Sequence, residues 1–510
     1  MTKINLTGGQ YMGRSLDEGW IECLNLYPEK VETPDGSSDT ILIGAPGQQL
    51  VTAWDLSASN PTGYCRGMHA SSWGAVYMLF GNQLYYATDP NYPPTYVGVI
   101  GSPGVNTPVK MADNGTHMAL VDGQSIYVTT RGTSSVTVVN VSYTDQSTGL
   151  TTTTTVAPTH IVMLGGYFIV NNTYLNPAQS NPPSNTQCYF SNLFDGYHWQ
   201  PISTFTAQGS ADPVLSLQVF NDQVWCQGVK RFEIFQQSGD LNIPFQPLGF
   251  SMVNTGILAP YSSLVFGSTL YWLGTTSNGG VAVYRSNNGS AERISDHSTE
   301  YFLRNPIAAK DMISWCYSQE GHDFIVLTSH NLGLTYVFDA TQGEWHWRSR
   351  YLASGNLNNL YEPQYAASLN GQTYCGLYTS ARIVVLNLDV YTDWDGNQIV
   401  REHTLPVIAA ELQGIVHDQF ILQMETGYGN SIQGDPAGYP QITLYQSDNA
   451  GHTWGTGQDM PMGQSGQFGQ RVIWWRRGFA RLRSYKLHSS AAVRHVWIAA
   501  YINSTALKGK

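Results

Sequence analysis

The chain has 510 residues, 42% of them hydrophobic, enough to bury a large core, and by length alone it holds one large or several smaller domains. Only 12% of residues are charged, about half the usual share, and the net charge is −11, so the surface is polar but weakly charged. No apolar run approaches 18 residues and the start has no charged and apolar leader, which predicts neither a membrane span nor export by a signal peptide.

Residues 1–60 are punctuated by Gly8-Gly9, Tyr27-Pro28, Thr33-Pro34-Asp35-Gly36 and Ala45-Pro46-Gly47, and are predicted to form an extended N-terminal arm. Residues 61–395 then repeat one phrase: an apolar run, a tight polar turn and a second apolar run. Val76–Phe80, Gly81-Asn82 and Leu84–Tyr86 make one copy; Ala119–Val121, Asp122-Gly123 and Ile126–Val128 make another. Further copies centre on Gly165, Asn221, Gly267, Gly321 and Asn370, giving intervals of 41, 43, 56, 46, 54 and 49 residues. Gly-Asn, Asp-Gly and Asn-Gly pairs supply the positive φ that two-residue hairpins need, and the flanking Val, Ile and Tyr suit a pleated surface. Self-similarity at such a period, about 48 residues on average, is the pattern of four-stranded blades arranged radially, because one blade cannot bury both faces alone. The predicted fold is therefore all-β, a propeller of six or seven blades with an additional C-terminal β region. Unrelated hairpins packed into two sandwiches are the alternative. No stretch holds a helical apolar period over three turns, and 51 Gly with 24 Pro would interrupt one.

Within the repeats, the Thr- and Ser-rich stretch Ser142–Thr155 is predicted to project as a hairpin. Asn176–Pro183 reads as a loop. Asp393-Trp394-Asp395-Gly396-Asn397 resembles the start of a calcium loop, but Gln398 and Thr404 stand where that loop needs Gly and a bidentate Glu, so a hairpin turn is expected. Six scattered cysteines, Cys23, Cys65, Cys188, Cys226, Cys316 and Cys375, lack any framework spacing and read as reduced core residues of a chain made in a cytosol.

Residues 396–510 are predicted to form the second β region. Ser447-Asp448-Asn449-Ala450-Gly451-His452-Thr453-Trp454 nearly matches an Asp-box turn. Ser447, Asn449, Gly451 and Trp454 are expected to staple it structurally, with the Trp plugging the core beneath. Such turns occur in sialidases, but the arginine triad and Tyr–Glu pair those enzymes need are missing; Leu303-Arg304-Asn305-Pro306 is the nearest phrase and lies mid-chain. No metal-ligand spacing, P-loop or nucleophile elbow occurs, so no catalytic residue, metal or cofactor is predicted and the chain is read as a non-enzyme. Asp296-His297 reads as a surface turn.

A basic and aromatic cluster closes the chain. Arg471, Arg476, Arg477, Arg481, Arg483, Lys486 and Arg494 are seven of its 25 basic residues, interleaved with Trp474, Trp475, Phe479, Leu482, Tyr485 and Leu487. On a strand, Arg481 and Arg483 would share a face. Such a face suits DNA phosphates or the carboxylates of a neighbouring subunit, and the interface is the reading adopted for Arg471, Trp474, Trp475, Arg476, Arg477, Arg481, Arg483 and Lys486.

Gln470–Leu487, with its Arg-Val-Ile-Trp-Trp-Arg-Arg-Gly core, resembles the ending of the tail hub or nozzle proteins of short-tailed phages, also called packaged-DNA stabilisation proteins. Asn25-Leu26-Tyr27-Pro28, Ala45-Pro46-Gly47, Arg66-Gly67-Met68, Phe232-Glu233-Ile234-Phe235 and Thr255-Gly256-Ile257 fit the same family in order, while Ser484 stands where it often has Gly. The resemblance implies a virion tail component, assembled in the bacterial cytoplasm as a hexamer below the portal and its adaptor. Its implied partners are the adaptor, a needle or plug, tail fibres or spikes, and double-stranded DNA passing through the lumen. The competing reading is a carbohydrate-binding propeller serving as a receptor-binding tail part, for which exposed Tyr and Trp would stack on sugars; a sialidase-like glycosidase is the remaining alternative.

Overall fold

The computed structural model describes residues 2–506, except 5, 7, 8, 14, 16–19, 32–38, 61, 62, 103, 105, 106, 176–183, 210, 211, 276–278, 288, 352–356, 359, 411, 412, 433 and 436; the side chains of 250–252, 357 and 358 are likewise left aside. The expected turn at 33–36 and loop at 176–183 fall on residues outside that set. Among the described residues the longest helix is His297–Phe302, capped by Asp296, whose Oδ1 accepts from the Thr299 amide at 2.7 Å.

Seven four-stranded antiparallel units are formed by the described residues, which fixes the blade number at the upper expected value. Their innermost strands are Cys65–Ala70, Lys110–Asp113, Ile161–Leu164, Val214–Phe220, Leu264–Phe266, Ile313–Gln319 and Pro363–Leu369. Each of these packs against the next and the last packs against the first, so the sheets close into a ring. The repeated turns adopt the left-handed backbone their residues favour: φ is 57° at Gly81, 52° and 56° at Asn221 and Asp222, and 53° at Asn370. The markers do not all fall at the same turn of the blade. Gly81 and Asp122 join the second and third strands of their blades, whereas the later markers join the first and second. Blade three is widened by the threonine hairpin, Val141–Thr144 paired with Thr151–Thr154, which joins the outer strand Asp195–Thr206 through Val141 and Trp199.

The N-terminal segment, expected as an arm, is woven into both halves of the molecule. Gly47–Leu50 pairs with Ile383–Asn387 and supplies the outer strand of the seventh blade, closing the ring with the two ends of the propeller sequence. Leu26–Lys30 and Thr40–Gly44 instead pair with each other and, through Val496 and Trp497, with the C-terminal strand Val496–Ala506. Cys23–Leu24 bridges the outer strand Glu344–Arg348 of the sixth blade to Arg401–Thr404. Asn25 fastens this junction. Its backbone has φ 52°, its Nδ2 donates to Val400 O at 2.7 Å and Ser349 Oγ at 3.0 Å, and its Oδ1 accepts from the Ser349 amide.

Beyond the junction the chain forms a β-sandwich. One sheet runs Val472–Ala480, Ile415–Met424, Val496–Ala506, Thr40–Gly44, Leu26–Lys30; the other contains Arg401–Thr404, Leu482–Ser489, Gln441–Ser447 and Gln458–Pro461. Between them lie Leu42, Phe420, Leu444, Trp474, Tyr485, Leu487 and Trp497, all 0–1% exposed. Cys23 is buried in the same core, and Cys188 and Cys226 share the core between blades three and four. All six cysteines are free, and all but the half-buried Cys316 are buried.

Candidate interface of the sandwich

The basic segment is two strands in opposite sheets of the sandwich rather than one continuous strand, and that changes which residues a partner can reach. Val472–Ala480 ends at Ala480, Arg481 occupies the turn, and Leu482–Ser489 begins after it. The expectation that Arg481 and Arg483 share a face is thus corrected: the chain bends at Arg481 and crosses from one sheet to the other, so Arg481 is exposed while Arg483 is 1% exposed. Trp474 and Arg477 are also interior, at 0% and 7%. These three hold the sandwich and are not free to meet a partner.

Arg483 is the hub of that interior. Its Nη1 donates to Arg477 O at 2.7 Å and to Tyr485 Oη at 3.3 Å, and its Nε pairs with Asp448 Oδ1 at 2.6 Å. The Asp-box-like turn is thereby docked onto the buried guanidinium. Inside the turn, Ser447 Oγ donates to Asn449 Oδ1 at 2.8 Å and accepts from the Gly451 amide at 2.8 Å, and Asn449 Oδ1 accepts from the Thr453 amide at 2.9 Å. Asn449 therefore does the work of the usual carboxylate. Trp454 departs from expectation. It is half-buried, with the Lys486 ammonium 5.4 Å from its ring, and Trp474 rather than Trp454 is the buried indole of the sandwich core here. Lys486 also pairs with Glu402 at 3.6 Å, and Arg494 with Glu425 at 3.0 Å.

What remains outside is Arg471, Trp475, Arg476, Phe479 and Arg481, with Trp475 60% and Phe479 54% exposed. They lie on or beside Val472–Ala480, which among the described residues is the outermost strand of its sheet and ladders with Ile415–Met424 alone. Left-handed backbone at Arg476 (φ 56°) and Gly478 (φ 79°), with a register shift opposite His417 and Gln419, breaks that edge. Bulges and charges on an edge strand discourage pairing with another strand, which leaves this edge's side chains rather than its backbone as what it presents. Exposed Trp and Phe among arginines is the composition enriched at the centres of protein interfaces.

The sandwich also buries neutral histidines. Burial pushes His403 and His417 down to about 4, and the Arg483 guanidinium reinforces the shift at His417. In an unfolded chain both would titrate near 6.5. Their folded pKa values are depressed, so their stabilisation is intact above about pH 6.5 and is lost as pH falls toward 4, at about 1.4 kcal/mol per pH unit for each. The thermal midpoint of the sandwich, followed by tryptophan fluorescence, should therefore fall steeply between pH 6.5 and 4.5. Replacing His403 with Gln should flatten that fall; an unchanged slope would contradict the assignment.

Elsewhere the sequence-level reading meets ordinary structural roles. Arg304 lies over the Tyr301 ring at 4.0 Å. Asp393–Asn397 is a hairpin turn, closed by Asp393 N to Asn397 O at 2.9 Å and by Gly396 at φ 81°. Among the described residues no group of three or more His, Cys, Asp or Glu is placed to hold a metal, and no helix is long and apolar enough to cross a membrane.

A strand-closed propeller continued by a sandwich, one edge of which exposes arginines and aromatic rings, defines an all-β, two-part class of protein. Family models agree in both halves: the β-propeller of bacteriophage P22 Gp10 matches residues 5–391, and the β-sandwich of the same protein matches residues 401–505. The chain belongs to the bacteriophage P22 Gp10 family, the phage tail nozzle or packaged-DNA stabilisation proteins, and is a structural component of the virion tail. No curated protein matches it with significance. Similar solved structures include the extracellular domain of BT4673 from B. thetaiotaomicron (10% identity, TM-score 0.41, covering 82% of this chain and 47% of that one). This chain thus spans about half the length of that relative. Others are the N-terminal domain of Nup159 (11%, 0.38, 72% and 98%) and the WD40 domain of Neurospora crassa Pan2 (8%, 0.37, 63% and 88%).

Proposed function

We propose that six copies of this chain form a ring below the portal and its adaptor, continuing the DNA channel and holding the packaged genome until ejection. The observation that carries this reading is the family match across both the propeller and the sandwich. The chain is not an enzyme in this reading; it is assembled in the host cytoplasm, attaches to the adaptor above and meets a needle, plug or fibres below. Six chains at −11 give the ring a net charge of −66. Anionic walls repel phosphates, so DNA slides without adhering.

Within this proposal Arg471, Trp475, Arg476, Phe479 and Arg481 form the contact with a neighbouring copy or the adaptor. The support is their exposure on a broken sheet edge and the surplus of acidic over basic residues in the rest of the chain. Changing Arg471, Arg476 and Arg481 together to Glu should abolish ring formation on the adaptor in negative-stain images while moving the thermal midpoint by less than about 2 °C. Intact rings from the triple variant would remove the contact from this edge.

A further inference from the structure

At one end of the propeller axis lies a cavity of about 620 Å³, within the range of about 300–1,000 Å³ typical of small-ligand sites. Tyr64, Pro108, Pro260 and Lys310 precede the innermost strands of four different blades, Gln364 lies on the innermost strand of another, and His330 and Tyr378 follow second strands. The wall therefore comes from five of the seven blades, gathered at one end of the axis.

Its lining combines ring faces with unsatisfied polar atoms. Tyr64, Tyr261 and Tyr378 are half-buried and His330 is exposed at the rim. Two of these rings are already held in place: Tyr261 stacks on His160 at 4.9 Å, and Tyr378 meets His330 edge-on at 5.0 Å. His160 is itself fixed, its Nε2 lying 3.1 Å from Pro260 O. Gln364 is 7% exposed and its buried Oε1 has no hydrogen-bond partner; the buried Tyr64 hydroxyl has none either. A buried acceptor without a donor costs about 1–3 kcal/mol, so the site favours a guest that brings hydroxyl or amide hydrogens. Asp311 is committed to its own loop, accepting from Ser329 Oγ and, at 2.8 Å, from the Asn331 amide. With Lys310 beside it the rim carries no net charge, which disfavours phosphate or nucleic acid as the guest.

We propose that this axial cavity binds a saccharide unit packed against Tyr64, Tyr261 and Tyr378, with the buried Gln364 amide and Tyr64 hydroxyl turning toward its hydroxyls as it enters. A pyranose has the apolar faces that tyrosine rings cover and the donors that the two orphan atoms lack. A tail component carrying such a cavity has a built contact for surface polysaccharide, separate from its place in the ring and independent of whether the ring forms.

The full-length chain should be applied to an array of bacterial surface oligosaccharides, with affinities of retained sugars measured by calorimetry. Gln364→Met keeps the side-chain length and removes the acceptor, and should weaken binding at least fivefold. Tyr378→Ala should weaken it about tenfold. Both variants should keep the wild-type thermal midpoint within about 2 °C, and Trp475→Ala, distant on the sandwich, should bind as the wild type does. The proposal is overturned if no saccharide is retained, if retained sugars bind the folded cavity variants unchanged, or if the chain instead captures proline-rich peptides at this cavity.

Discussion

Arg483→Ala should destabilise the β-sandwich by roughly 2–4 kcal/mol, whereas Arg481→Ala, two residues away, should change stability by no more than about 0.5 kcal/mol. The difference follows from the turn between the two strands. Arg483 donates to the Arg477 carbonyl and the Tyr485 hydroxyl and pairs with Asp448, so its loss leaves two interior acceptors dry and releases the Asp-box-like turn. Arg481 stands in solvent. Trp474 and Trp497, fully buried in the same core, report the unfolding by fluorescence in urea. Arg483→Met, which restores most of the volume but none of the donors, should recover only part of the loss. Equal midpoints for the two alanine variants would contradict the placement of these residues.

Gly47→Val should open the propeller. Gly47 begins the strand that closes the seventh blade, and its amide donates to Val390 O at 2.9 Å. A Cβ there would fall 2.2 Å from that same carbonyl oxygen and 2.7 Å from Thr392 O. Both obstacles are backbone, so no side-chain rotation relieves them, and the closing strand must leave its register with Ile383–Asn387. Ring closure is what lets the first and seventh blades share a core that includes Trp54, Val76, Met78, Tyr374 and Ile383. The expected outcome is loss of several kcal/mol and rapid proteolysis between residues 50 and 65. A variant that melts within about 2 °C of the parent and resists protease would show that closure does not depend on this glycine.

The propeller was legible because its hairpins are local. Positive-φ pairs such as Asn221-Asp222 and Asn370-Gly371 sit between apolar runs, and a two-residue turn fixes the register of both strands without reference to anything distant. Ring closure by Gly47–Leu50 was not legible, because its partner lies more than 330 residues away and a Gly-Gln-Gln-Leu strand has no periodicity of its own. Asn25 was noticed only as part of a family-like phrase; nothing in its neighbours announces hydrogen bonds to Ser349 and Val400. In the sandwich, composition marks a basic and aromatic segment but cannot place the bend at Arg481. Because strand faces alternate, an unbroken strand puts both arginines on one face, whereas the bend leaves Arg481 outside and turns Arg483 inward. The axial cavity was invisible in sequence for the same reason as the closure: its lining is gathered from residues 64 to 378, one or two from each contributing turn.

The central claim is that these exposed edges join copies of the chain into a ring on the adaptor. Its most direct test is the mass of the purified chain, alone and mixed with the portal–adaptor complex of its phage, by mass photometry. The account predicts that the adaptor complex gains six chains of 56.2 kDa, about 337 kDa in all. A chain that stays at 56.2 kDa and leaves the adaptor complex unchanged would contradict it.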